Sequence, residues 1–93
     1  MAASLTLAGD ITFPNTSEWF NRLMGQIEAQ RETLDHDVIE IDCSAVTYLD
    51  SSALAMLLKL RHRTDRDLVL IDLPAAQRRP FEITGLTRLF QFR

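Results

Sequence analysis

The densest group of chemically active side chains in this 93-residue sequence lies in residues 49–54, where Asp50 is followed by the hydroxyls of Ser51 and Ser52. Good helix formers come next, which predicts that the group stands at the start of a helix. Free backbone amides and the helix dipole stabilise an anion there by about 0.3–1 kcal/mol. Capping explains the same residues, because an N-cap Asp or Ser accepts an amide hydrogen bond worth about 1 kcal/mol. Spacing alone therefore favours a cap over an anion site.

Catalytic and metal chemistry find little support elsewhere in the sequence. A serine hydrolase would need Ser51 beside a histidine and an acid, but neither His36 nor His62 lies in a segment that predicts contact with it. The Gly-x-Ser-x-Gly elbow of many hydrolases does not occur. Cys43 is the single cysteine, which excludes an internal disulfide or a multi-cysteine metal cluster within one chain. We therefore expect no enzyme activity, no metal and no cofactor.

The composition is that of one small folded domain, with 46% hydrophobic and 25% charged residues. We predict a single domain over residues 1–93. The longest apolar run, residues 53–58, is far shorter than the roughly 20 residues that cross a bilayer. The first residues lack the basic start and apolar core of a secretory signal. The expected location is the cytoplasm, without direct membrane insertion.

Charge is unevenly distributed along the chain. Residues 1–58 carry nine acidic and two basic side chains, whereas residues 59–93 carry eight basic and four acidic ones. A basic half could indicate nucleic-acid binding. However, acids are interleaved with the arginines, and aromatic residues do not alternate with them as a single-strand binder requires. We therefore expect no nucleic-acid partner and a surface that binds protein.

Hydrophobic periodicity predicts the elements that position residues 49–54. Alternation predicts strands at residues 4–11 and 37–43, a continuous apolar run predicts an interior strand at 68–71, and residues 90–92 can add a short last strand. Helical spacing predicts a first helix ending near Arg31, a second ending near Thr64, and a third within residues 74–84 that Pro80 divides or kinks. On the first helix, the residues expected in the core are Trp19, Phe20, Leu23, Met24 and Ile27. On the second helix, the residues that share one face are Leu54, Leu57, Leu58 and Arg61. This alternation predicts an α/β fold with a small mixed β-sheet covered by α-helices.

Four segments together resemble a known family. Residues 50–54, Asp-Ser-Ser-Ala-Leu, resemble the Asp-Ser-Ser-Gly-Leu signature of STAS domains, the fold of bacterial anti-sigma factor antagonists. Residues 7–11 resemble the family's opening strand and its Gly-Glu-Leu turn, and residues 38–42 resemble its central strand. Residues 81–86 resemble its late Phe-Asp-Met-Ser-Gly-Leu segment. Their order and intervals match over nearly the whole chain, which is therefore similar to a STAS domain.

The resemblance implies a regulatory binding module and not an enzyme. In such antagonists the first serine of the signature, Ser51 here, is phosphorylated by a serine kinase that is also the anti-sigma factor, and a serine phosphatase reverses the modification. The resemblance also implies a partner-binding surface at Asp10, Asp50, Ser51, Ser52 and Ala53. Ala53 stands where the family usually has Gly, which places a methyl group at the predicted partner surface.

A second reading of the same resemblance stays open. A short chain of this kind also resembles the STAS subunit of the bacterial lipid-asymmetry ABC transporter. In that case the helix start and the helix that carries Leu54 would bind an ATPase subunit constitutively, without a phosphate cycle.

Overall fold

Strands and helices alternate along the chain in the computed structural model, which describes residues 5–32 and 37–93. The order is β1 (Leu5–Ile11), α1 (Thr16–Ala29), β2 (Val38–Leu49), α2 (Ser51–Thr64), β3 (Asp67–Ile71), α3 (Ala75–Ile83), a 3-10 turn (Leu86–Leu89) and β4 (Phe90–Phe92). The predicted α/β class is confirmed. Ser4, at the start of the first predicted strand, and His36 lie outside the described residues.

The described strands form one sheet in the order β1-β2-β3-β4, and each neighbouring pair is parallel. The sequence predicted a mixed sheet, and the structure differs in this detail. A helix follows each of β1, β2 and β3 and returns the chain to the same end of the sheet, so every pairing is parallel. Consequently the carboxyl ends of all four strands lie at one edge.

The two faces of the sheet differ in polarity. Successive side chains of a strand point to opposite faces, so residues paired in register share a face. One row across β2, β3 and β4 consists of Ile39, Leu68 and Phe90, and the next consists of Glu40, Val69 and Gln91. The first row belongs to the main hydrophobic core together with Phe81 of α3, whose ring meets that of Phe90 edge-on with centroids 5.2 Å apart. The helices therefore cover the apolar face, and an ion pair between Arg93 and Glu40 spans β3 on the other.

The interior position predicted for residues 68–71 is confirmed, because β3 lies between β2 and β4. Leu68, Val69 and Leu70 are fully buried. The core faces of the helices also follow the prediction in large part. Buried side chains on the first two helices are Leu23 and Ile27 of α1 and Ala53, Leu54, Met56, Leu57 and Leu60 of α2. Trp19, Phe20, Met24 and Leu58 are half-buried and pack against this core.

Strand β2 continues to Leu49, well beyond the predicted end at Cys43. Its pairing with β1 shifts register twice, between Thr6 and Ala8 and between Gly9 and Asp10, with one extra residue of β2 at each shift. These β-bulges change the burial pattern of β2 from every second to every third residue after Cys43. Regular alternation therefore ends at Cys43 although the strand does not, which explains why the predicted strand is too short.

The prediction that Pro80 divides the third helix into two pieces is wrong, because α3 is continuous from Ala75 to Ile83. The alternative, a kink at Pro80, stays a prediction. Pro80 lacks the amide that would bond to the carbonyl of Ala76, four residues earlier. Ala76 is exposed, so water can hydrogen-bond to this carbonyl and the helix loses little stability. The helix ends before Gly85, whose φ of +74° is the left-handed conformation expected of the predicted stop signal.

Candidate functional site

The predicted site lies at the carboxyl edge of the sheet, where β1 and β2 end side by side. Asp10 and Ile11 pair in register with Tyr48 and Leu49, so Asp50 follows directly beside the end of β1. The backbone amide of Asp50 donates to the carbonyl of Ile11 at 3.3 Å. The first turn of α2 thus begins against the loop that joins β1 to α1.

Asp50 is the N-cap of α2, as its position in the sequence suggested. Its Oδ1 accepts hydrogen bonds from the backbone amides of Ser52 at 2.9 Å and Ala53 at 3.1 Å, and from the hydroxyl of Ser52. Its Oδ2 accepts from the backbone amide of Phe13 at 3.0 Å. One carboxylate therefore caps α2 and ties the β1–α1 loop to it.

These hydrogen bonds favour the charged form of the Asp50 carboxyl. The pKa of Asp50 lies below its ordinary value, mainly because the Ser52 hydroxyl donates to it. Desolvation opposes the shift, and the backbone amides of Phe13, Ala53 and Ser52 reinforce it. Asp50 is thus a fixed negative charge at neutral pH.

The structure distinguishes the two serines of the signature. Ser51 is the first residue of α2 and is exposed, and its hydroxyl has no hydrogen-bond partner within the described part of the chain. Ser52 is half-buried, and its hydroxyl donates to Asp50. Ser51 is therefore accessible to a modifying enzyme, whereas Ser52 acts in the cap.

Asp10 lies at the same edge and is exposed. Its Oδ1 accepts a hydrogen bond from the hydroxyl of Thr47, and its backbone carbonyl accepts from Asn15 Nδ2 at 2.7 Å. Asn15 Oδ1 in turn accepts from the amide of Thr12 at 2.9 Å. Side-chain hydrogen bonds thus hold the β1–α1 loop, and Asp10 presents a second carboxylate at the same edge of the sheet.

The sequence model of the STAS domain family matches residues 2–93, which is nearly the whole chain and includes each segment that forms this edge. The chain belongs to the STAS domain family. A search among curated proteins found no significant match. STAS domains occur in anti-sigma factor antagonists, are generally non-catalytic and mediate protein–protein interaction. The resemblance drawn from the four segments is confirmed at the level of the family.

Ala53 of this STAS domain lies elsewhere than predicted. Its side chain is fully buried and belongs to the hydrophobic core, so its methyl group is not at the surface that a partner would contact. Of the five residues predicted to bind a partner, Asp10, Asp50, Ser51 and Ser52 lie together at the edge, and Ala53 lies beneath them.

Sequence reasoning missed Gln77 of α3, which contacts the end of β2. Its Oε1 accepts from the amide of Leu49 at 3.0 Å, and its Nε2 donates to the carbonyl of Thr47 at 3.1 Å. Because β3 pairs with β2 only as far as Asp42, this part of β2 has no strand on that side. Gln77 makes the two hydrogen bonds that a neighbouring strand would otherwise make to these backbone groups. It thereby positions Leu49, the residue before Asp50.

Two exposed aromatic side chains lie at this edge that the sequence analysis did not single out. Phe13 is 79% exposed and follows β1, and Tyr48 is 51% exposed and pairs in register with Asp10. Exposed aromatic residues are frequent anchors of protein interfaces. Their only sequence signal is an apolar residue placed in a turn or beside a charge.

The described residues contain no group of three or more His, Cys, Asp or Glu side chains that could hold a metal ion. His62 is exposed near the carboxyl end of α2, whereas Ser51 begins that helix, so these two residues are about three turns apart. In residues 5–32 and 37–93, no helix is long and apolar enough to span a membrane.

Proposed function

We propose that this STAS domain is a partner-binding switch of the anti-sigma factor antagonist kind, controlled by phosphorylation of Ser51. The observation that supports it is the contrast between the two serines: the Ser51 hydroxyl is exposed and unpaired among the described residues, and the Ser52 hydroxyl is bound to Asp50. The proposed partners are a serine kinase that is also an anti-sigma factor and a serine phosphatase, in the cytoplasm.

The electrostatics of the helix start support a switch that acts on the interface. A phosphate adds about −1.5 to −2 charges at pH 7. Asp50 already occupies the amides of Ser52 and Ala53, which would otherwise bind an anion at a helix start. The phosphate on Ser51 therefore stays at the surface beside the carboxylate of Asp50, where a docking partner meets it.

The fold should tolerate this modification. Ser51 is the first helical residue and not the cap, so its side chain makes no hydrogen bond that the helix start depends on. A negative charge in the first turn stabilises a helix by about 0.3–1 kcal/mol. Binding responds more strongly, because each 1.4 kcal/mol of repulsion and desolvation lowers affinity about tenfold.

The test compares Ser51→Ala and Ser51→Asp as baits for the partner. The free energy of unfolding of both variants should lie within about 0.5 kcal/mol of that of the natural protein, as is usual for surface substitutions. Ser51→Ala should retain a serine kinase of a sigma-factor pathway, and Ser51→Asp should lose it, because only the second adds charge beside Asp50. Mass spectrometry after incubation with that kinase and ATP should find phosphate on Ser51 and none on Ser52.

Two results would count against the proposal. If Ala weakens binding as much as Asp while both variants stay folded, Ser51 contributes through its hydroxyl and not through charge. If both baits retain an ABC transporter ATPase equally well, the chain is a constitutive subunit of a lipid-asymmetry transporter.

A further inference from the structure

An open groove of about 580 Å³ lies between the first two turns of α1 and the α2 helix. Its apolar lining consists of Phe13, Phe20, Ala55 and Met56. Further along α2, Lys59 and Arg63 also line it. Ser52 also lines it, so the groove reaches the start of α2 next to Ser51. We name this surface the α1/α2 groove.

The charge in the α1/α2 groove is positive and uncompensated. Lys59 Nζ lies 4.5 Å and Arg63 Cζ 5.9 Å from the centre of the Phe20 ring. Within the described residues, neither cation is within salt-bridge distance of a carboxylate, and no acidic residue lines the groove. This contrasts with the net charge of −3 of the whole chain. The groove therefore complements an apolar surface that carries negative charge.

The length of the groove along α2 is enough for a short helix. From Ser52 to Arg63 the axis of α2 rises about 16 Å, which is about three turns. A third helix can pack against two others when its apolar ridge enters the groove between them. Lys59 and Arg63 are four residues apart on one face of α2, so they can meet carboxylates one turn apart on the incoming helix.

We infer that the α1/α2 groove binds an acidic amphipathic helix of a protein partner, with its apolar face on Phe20 and Ala55 and its carboxylates toward Lys59 and Arg63. The inference rests on the proposed function in one respect, namely that the domain binds a protein. It adds where that protein lies and what its docking element is. A helix seated here ends near Ser51, so a phosphate there would face an acidic partner.

The experiment uses two synthetic 14-residue helical peptides, each stapled to hold the helix. Both carry leucines along one face, and they differ only in having glutamates or lysines beside that face. Each peptide is titrated into the purified, unphosphorylated protein and followed by fluorescence anisotropy and by amide chemical shifts. The glutamate peptide should bind about tenfold or more tightly than the lysine peptide. Its shifts should map to the groove, at Asn21, Ala55 and Lys59.

Matched variants distinguish binding in the α1/α2 groove from a general effect of net charge. The double variant Lys59→Glu, Arg63→Glu should weaken the glutamate peptide about tenfold or more. The control Arg79→Glu, Arg88→Glu makes the same change of net charge at exposed arginines outside the groove and should alter binding less than about twofold. Ala55→Glu blocks the floor from an exposed position and should also abolish binding.

Three results would overturn the inference: no binding of the glutamate peptide at low salt, equal weakening by the control arginine pair, or shifts that map away from the groove. Oleate is tested in parallel. If oleate perturbs the groove and the glutamate peptide does not, the groove takes a lipid carboxylate and not a helix. The titration needs no kinase and no phosphate, so its failure leaves the Ser51 proposal to be judged by the bait experiment.

Discussion

Replacing Gln77 by Met tests whether a side chain of α3 holds the end of β2 in place. Met keeps the length of the side chain and removes both polar groups. The variant loses the acceptor for the amide of Leu49 and the donor to the carbonyl of Thr47. Arg79→Met on the same helix is the control, because Arg79 is exposed and makes no ion pair within the described residues.

The expected loss follows from the two hydrogen bonds. Each contributes about 0.5–1.5 kcal/mol net, so Gln77→Met should lower the free energy of unfolding by about 1–3 kcal/mol. For a domain of this size, each 1 kcal/mol lowers Tm by about 4–8 °C. Gln77→Glu keeps an acceptor for the Leu49 amide but has no donor for Thr47, so its loss should be intermediate. Arg79→Met should change the free energy of unfolding by less than about 0.5 kcal/mol.

Urea denaturation measures the global effect, and amide hydrogen exchange measures the local one. The Leu49 amide should exchange faster in Gln77→Met by more than the global loss of stability explains, because its acceptor has been removed. If the protection of Leu49 is unchanged in that variant, Gln77 does not hold the strand end and the reasoning is wrong. An equal destabilisation by Arg79→Met would also refute it, since the effect would then belong to α3 as a whole.

Three further predictions concern the core, the thiol and the cap. Leu57→Ala should lower the free energy of unfolding by about 2–5 kcal/mol in urea denaturation, and Leu58→Ala by less, because Leu57 is fully buried and Leu58 is half-buried. Cys43 should react slowly with a thiol reagent in the native protein at pH 8, since burial and then the charge of Asp42 raise its pKa to about 12; rapid labelling would contradict this. Asp50→Asn should have a lower free energy of unfolding than the natural protein at pH 7, and the difference should vanish as the pH falls. The pKa of Asp50 is lower in the folded state than its unfolded value of about 3.9, so the charged carboxylate contributes its full stability above pH 3.9. That contribution is lost as the pH falls through the folded-state pKa. Urea midpoints that differ equally at pH 7 and pH 3 would show that the carboxylate charge is not responsible.

Local sequence patterns predicted the elements whose residues follow a regular period. Burial on one side produces the alternation in β1 and the first half of β2 and the helical spacing in α1 and α2. Burial on both sides produces the apolar run of β3. Both kinds of burial can therefore be predicted from the order of residue types. The capping role of Asp50 was also accessible, because a carboxylate before a run of helix formers has few other structural uses.

Contacts between distant parts of the chain were not accessible in the same way. The bulges of β2 depend on its register with β1, so residues 44–49 show no period that indicates a strand. The contact of Gln77 with Leu49 joins residues 28 positions apart. The choice between Ser51 and Ser52 as the accessible hydroxyl depends on which of them bonds to Asp50, and two adjacent serines look alike in a sequence.

The order of the strands in the sheet, β1-β2-β3-β4, has a consequence for how the protein is made. Each strand pairs with the strand that precedes it in the chain, so the sheet can grow in one direction as synthesis proceeds. The two strands that flank the start of α2 emerge from the ribosome before residues 50–54 do. The segment that carries Ser51 thus emerges after both strands that flank it, and the hydrogen bonds of Gln77 to β2 can form only after α3 has emerged.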